Sequence, residues 1–336
     1  MKKIKAEIIA DSKNEHGQKI TTFVLTYPRI IHAELLTHRL FSRNAASSRA
    51  IPASKMIKDI EEDPFIPVAW QKAHKGMQGT EYFEDSLNVE AKEGEWLIAR
   101  NHALNQAKQL SSMGITKQIV NRILEPYQWY TCIVTATELD NFFELRCPQY
   151  EWDGQSFKSR KDCLDFVNAN SPVNSSMNTW DDLSWLKINK GSGEIHISLL
   201  AEAMWDAMNE SEPKQLKAGE WHIPFGDKFE DLRVHRACMV SDYKFDIDEA
   251  KIKIATARCA RVSYLNFKGK DDYEADLKLF QRLYDMKHMS PFEHCARAMS
   301  EEEFWNDDRG IGMSDKNAGW SGNFRGFVQL RKEIEK

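Results

Sequence analysis

Thirteen consecutive residues, Thr37 to Arg49, hold three arginines, a histidine, an asparagine and three serines, directly after the mostly apolar run Ile30 to Leu36. Guanidinium groups grip planar or phosphate oxygens through paired donors, and serine hydroxyls and backbone N–H groups fill the gaps between them. Such a segment suits a pocket for a phosphorylated nucleotide; the plainer reading is a basic helix end trailing into a polar loop. Four more stretches set polar side chains among apolar ones: Arg122-Ile123-Leu124-Glu125-Pro126, Asn141-Phe142-Phe143-Glu144-Leu145-Arg146, Ala257 to Tyr264, and His288-Met289-Ser290-Pro291-Phe292-Glu293-His294. The last has a carboxylate and two histidines, but not at the spacing of zinc proteases, so no metal site is expected.

Strand composition at Lys5–Ala10, Thr21–Leu25 and Trp129–Thr137 predicts three strands. Pro28 suits the first turn of a helix running to about Leu40, and Ile51-Pro52 stops its continuation. Apolar spacing predicts helices at about Glu95–Met113, Thr116–Leu124, Leu139–Arg146, Glu194–Met208 and Glu274–Met286. The polar stretches from about 147–193 and 206–250 read as insertions, the first of them on the surface. There is no internal repeat, and the pattern by itself supports a mixed helix and strand protein.

The 336 residues leave room for one large domain with insertions or for two domains, and such a chain buries about three-quarters of its unfolded surface without metal or disulfide staples. The six cysteines form no Cys-x-x-Cys pair, which reads as reduced thiols in a cytoplasmic protein. The N-terminal stretch turns polar too soon for a signal peptide, and no apolar run reaches membrane-spanning length. A net charge of −5 argues against a broad nucleic-acid binder while allowing a local basic pocket.

Taken together, the five polar segments resemble flavin-dependent thymidylate synthases, which methylate dUMP without a protein nucleophile. The family signature is Arg-His-Arg, seven residues, then Ser; Thr37-His38-Arg39, seven residues, then Ser47 is similar with one change. Ala260-Arg261-Val262-Ser263 resembles the family's Ala-Arg-x-Ser, and His288 to His294 its His-x-Ser/Thr-x-x-Glu-His. Arg122 to Pro126 is similar to Arg-x-x-Leu-Pro with Glu125 in place of the leucine, and Asn141 to Arg146 to Asn-Phe-x-x-Leu-Arg. Segments that come early in the family come last here, so the resemblance implies a circularly permuted relative. Its fold would be α+β, a central antiparallel sheet flanked by helices, in a single domain over 1–336 assembled as a homotetramer with sites between subunits.

The resemblance also implies roles. His38, Arg39, Asn44, Asn141, Ser263, Ser290 and Glu293 would contact FAD, and His288 would line the flavin or folate entrance. Ser47, Ser48, Arg49 and Arg122 would hold dUMP, Arg146 would polarise the pyrimidine, and Glu34 stands where a glutamine reads the substrate. Gln329 and Arg331 would supply polar groups lost near the cut, the alternative being a frayed basic tail. Methylenetetrahydrofolate would bring the carbon and NADPH would reduce the flavin. Thr37 for arginine, Ala45 for glutamate and Ser48 for glycine are further departures. They leave open another C5 modification of a pyrimidine nucleotide, such as hydroxymethylation, or a non-catalytic nucleotide-binding homologue.

Overall fold

In the computed structural model, residues 4–75, 79, 81–170, 177–240, 246–262, 272–306 and 318–335 are described. Strands β1 (Lys5–Asn14) and β2 (Lys19–Pro28) pair as an antiparallel hairpin from Lys5 opposite Thr26 to Lys13 opposite Lys19. Pro28 ends β2 in extended conformation, so no long helix starts there. A 3-10 turn (Arg29–Ile31) and the short α1 (His32–Leu35) stand in its place, and the chain then turns into β3 (Ser42–Ala45). Next come α2 (Ala53–Glu62), α3 (Ser86–Ser112), α4 (Lys117–Val120), a 3-10 stretch (Asn121–Tyr127) and β4 (Trp129–Ala136). Asp85 starts α3 by accepting from the N–H groups of Leu87 and Asn88, a turn and more before the expected beginning.

The expected short helix is α5 (Asp140–Arg146). The polar stretch after it folds into β5 (Tyr150–Trp152), β6 (Gln155–Phe157), α6 (Arg160–Asn170) and α7 (Asp182–Ile188). These elements enclose a small core of Tyr150, Cys163, Val167, Met177 and Trp185, so the stretch is more than a surface loop. Then follow α8 (Ile195–Glu210), β7 (Lys214–Leu216), β8 (Trp221–His222), α9 (Asp231–Val240), α10 (Ile247–Arg261) and α11 (Tyr273–Asp285). The chain closes with β9 (Ala296–Ala298), α12 (Glu301–Trp305), β10 (Trp320–Ser321), β11 (Phe324–Arg325), β12 (Phe327–Gln329) and α13 (Leu330–Ile334).

The main sheet runs β3-β4-β2-β1-β7. Its pairs are antiparallel except β1 with β7, so the sheet is mixed rather than antiparallel throughout. The 206–250 stretch supplies β7 to this sheet and β8 to a second one, β12-β9-β8, and is therefore built into the fold. Strand alternation gives the main sheet two buried faces. Phe23, Leu25, Cys132 and Val134 pack with Phe142, Phe143, Ile197 and Leu200 of α5 and α8. On the other side, Ile9, Val24 and Ile133 pack with Ala250, Ile254, Ala255 and Cys259 of α10. Phe23 is fully buried between β1 and β4. Replacing it with alanine is expected to cost about 3–5 kcal/mol of unfolding free energy, read from the denaturant midpoint.

The α10 side also carries polar groups. Thr22 stands opposite Thr135, and Thr135 opposite Ser42, across β2, β4 and β3. Their hydroxyls join a buried chain: Ser12 Oγ to His222 Nδ1 at 2.9 Å, His222 Nε2 to Thr22 Oγ1 at 2.8 Å, Thr22 to Thr135 at 2.8 Å, and Thr135 to His294 Nδ1 at 2.8 Å. Burial holds both imidazoles neutral, each with its pKa lowered to about 3.

Candidate functional site

The turn between α1 and β3 lies against the C-terminal end of α5. There Arg146 Nε donates to His38 Nε2 at 3.3 Å. The imidazole lies near-parallel to Phe41, with ring centroids 5.7 Å apart, and edge-on to Phe142 at 4.8 Å. Burial lowers the His38 pKa, helped by the charges of Arg146 and Arg43, so the ring is a neutral acceptor for the arginine. Arg43 Nη1 donates to the carbonyls of Leu36 at 3.0 Å and His38 at 3.3 Å, which fixes the turn.

Two groups that sequence reading missed stand beside this pair. Glu194 caps α8 by accepting from the N–H groups of His196 and Ile197, and it also meets His196 Nδ1 at 2.6 Å. The other ring nitrogen of His196 accepts from the Val68 N–H at 3.2 Å, so this histidine is tied on both sides. Glu34 is half-buried in the same neighbourhood. Burial and then the Glu194 charge raise its pKa, against the lowering influence of Arg146 and His196. The missed signal was a carboxylate and a histidine two residues apart at the start of a helical pattern.

A second cluster forms where the residues after β3 meet the 3-10 stretch before β4. Ser48 Oγ donates to Glu125 Oε1 at 2.7 Å, and Arg122 Nη1 reaches the same oxygen at 3.1 Å. Arg29 Nη2 lies 3.8 Å from Glu125 Oε2, with its guanidinium 4.4 Å from the Tyr130 ring centre. Asn121 Nδ2 donates to the Ser48 and Ile51 carbonyls at 2.7 and 2.9 Å and pins the loop. Ser47 Oγ, Arg39, Arg49 and Asn141 make no side-chain hydrogen bond or ion pair among the described residues, and the last three are exposed.

The third group meets β3 on its α10 side. Gln329 Nε2 and Asn323 Nδ2 each donate to Ser42 Oγ at 3.1 Å, and Asn44 Nδ2 to the Cys259 carbonyl at 3.4 Å. Glu293 accepts from Arg331 Nη1 at 2.6 Å. The C-terminal segment is thus packed rather than frayed: Gln329 is buried and pairs in β12 with Ala296. Gln329 therefore reaches the signature strand and Arg331 is held by Glu293 and Glu335, both with donors already used inside the fold, while His288 and Ser290 are exposed. Ser263 lies outside the described residues.

The segments from 34–49, 122–146, 290–294 and 323–331 thus converge on one edge strand, but not as a single cradle. Ser42 and Asn44 face α10, whereas His38 and Arg146 lie on the α5 side. Trp185 and Trp205 are packing residues: Trp185 lies edge-on to Tyr150, and Trp205 lies edge-on to Phe143 and donates to Asp162 at 2.7 Å. No described helix is long and apolar enough to cross a membrane.

No protein-family profile matches the chain, and no curated protein matches it. Among solved structures, it is similar to the UMP/dUMP methylase PolB from Streptomyces cacaoi bound with 5-Br UMP. That match has 16% identity and a TM-score of 0.40 over 62% of this chain and 89% of the other. The same methylase bound with 5-Br dUMP matches at 16% identity and a TM-score of 0.38, over 57% of this chain and 67% of the other.

Proposed function

We propose that the protein modifies C5 of a pyrimidine nucleotide with flavin assistance, and that the reaction is thymidylate synthesis from dUMP. The observation that carries this reading is the contact of Arg146 with a neutral His38, with the exposed donors Arg39 next to His38 in the chain and Asn141 on the same helix as Arg146. Uracil C5 becomes nucleophilic only when negative charge on the ring oxygens is stabilised. A guanidinium stays protonated and aims paired donors at such an oxygen. His38 accepts from Arg146 Nε, which leaves the two terminal nitrogens of the guanidinium to face the pyrimidine. Ser47, Ser48 and Arg122 would hold the nucleotide.

FAD fits the donor set, because a pyrophosphate recruits unpaired cations and amides such as Arg39 and Asn141. Bound here, reduced FAD would supply a hydride, with methylenetetrahydrofolate giving the carbon and NADPH restoring the flavin. Ile30, Leu36, Leu40 and Leu145 are each 40–49% exposed around the site. Such an apolar rim supports burial against further copies, in the proposed homotetramer. Purified protein should take up FAD, seen as a flavin absorbance band, and convert dUMP to dTMP with methylenetetrahydrofolate and reductant. Product mass separates methylation from hydroxymethylation. A colourless protein that binds dUMP without turnover would show a non-catalytic homologue instead.

A further inference from the structure

Glu125 sits where an incoming anion belongs. Three segments converge on its carboxylate: Ser48 from the loop after β3, Arg29 from the turn after β2, and Arg122 from the stretch before β4. Ser48 is 6% exposed and turns its hydroxyl to the carboxylate at 2.7 Å. One hydroxyl and two guanidinium groups around an anionic oxygen pair make a donor set for a phosphate monoester. An exposed pair between Arg122 and Glu125, three residues apart, would be an unremarkable surface contact. A buried serine and an arginine from two other segments, with Arg29 also held over Tyr130, make it a built cluster of donors.

We infer that Glu125 is an internal competitor for the phosphate of the nucleotide, a specificity-setting residue that fills the anion cradle until a phosphate monoester displaces it. This rests on the nucleotide reading above and deepens it. Two cations face one carboxylate, which leaves a net charge of +1 for a dianion. Phosphate therefore binds only as Glu125 swings out, and a ligand without phosphate leaves it in place. The residue tunes how strongly the site prefers a nucleotide over its nucleoside.

The test is calorimetric titration of the full-length protein and E125Q with inorganic phosphate, dUMP and deoxyuridine. Removing a charge at this distance should tighten inorganic phosphate and dUMP by about tenfold or more, with deoxyuridine unchanged. Adding R122Q to E125Q should take that gain away. Equal or weaker phosphate binding by E125Q overturns the inference, as does a double variant that binds as tightly as E125Q. Should E125Q not fold, E125D keeps the charge but withdraws it from Ser48, and it should show a smaller gain in the same titration. Because phosphate binding needs no reaction, absent turnover would count against the catalytic reading alone.

Discussion

Acid should destabilise this protein gradually between about pH 6.5 and 4.5 and steeply below that. His32, His222 and His294 are neutral in the fold, with pKa values lowered to about 4, 3 and 3, first by burial. Their stabilising contribution is whole above the unfolded value of 6.5 and is lost as pH falls through the folded values. Two carboxyl groups work in the opposite direction. Burial raises Glu202 to about 7 and Asp276 to about 6, so each is stabilising when protonated and loses that contribution as pH rises. Between pH 6.5 and 4.5 the folded state holds these two protons while the unfolded state gains three on the histidines, a net of one. Below 4.5 the carboxyls protonate in both states and the three histidines dominate. Each net proton changes stability by about 1.4 kcal/mol per pH unit, so the slope is about 1.4 kcal/mol per unit between pH 6.5 and 4.5 and approaches about 4 below 4.5, until the folded histidines protonate near 4 and 3. Denaturant midpoints should be nearly constant from pH 8 to 7, fall gradually from about pH 6.5 to 4.5, then collapse. Midpoints that stay constant from about pH 7 down to 4.5 would contradict the assignment of these groups.

Arg146→Gln is expected to lower C5 modification by about a hundred- to a thousandfold, the usual cost of losing one donor to a developing oxyanion. Glutamine can still donate to His38 but carries no positive charge, so flavin uptake and thermal stability should change little. Lysine would keep the charge without the fork, and should recover only part of the loss. The split matters: a fall in kcat with nearly constant KM places Arg146 at the reacting ring, whereas a rise in KM alone would move it to nucleotide binding.

How much could be read from residues varies along the chain for physical reasons. β4 was legible because Trp129 to Ala136 is rich in β-branched and aromatic side chains, and α11 because its apolar face recurs at helical spacing. β3 was not: Ser-Arg-Asn-Ala has little strand preference, and its conformation comes from pairing with β4 far along the chain. β7 has three residues, too few for any period to show. In the site, each segment was visible by residue type, but no spacing could join His38 to Arg146, 108 residues away. That contact depends on α5 packing beside the turn. Nor could composition show that Glu125 would draw Ser48, Arg29 and Arg122 onto itself.

Ser42 meets Gln329 across 287 positions of the chain, which sets a timetable for synthesis. At ribosomal speeds of 5–20 residues per second, the strand bearing the signature leaves the tunnel roughly 15–60 s before the segment that covers it. Until Cys259, His294 and Gln329 emerge in turn, Asn44, Thr135 and Ser42 lack these partners, and the open flank of the nascent sheet is available to wrong ones. Heterologous production should therefore gain soluble yield from slower translation at low temperature or from added chaperones.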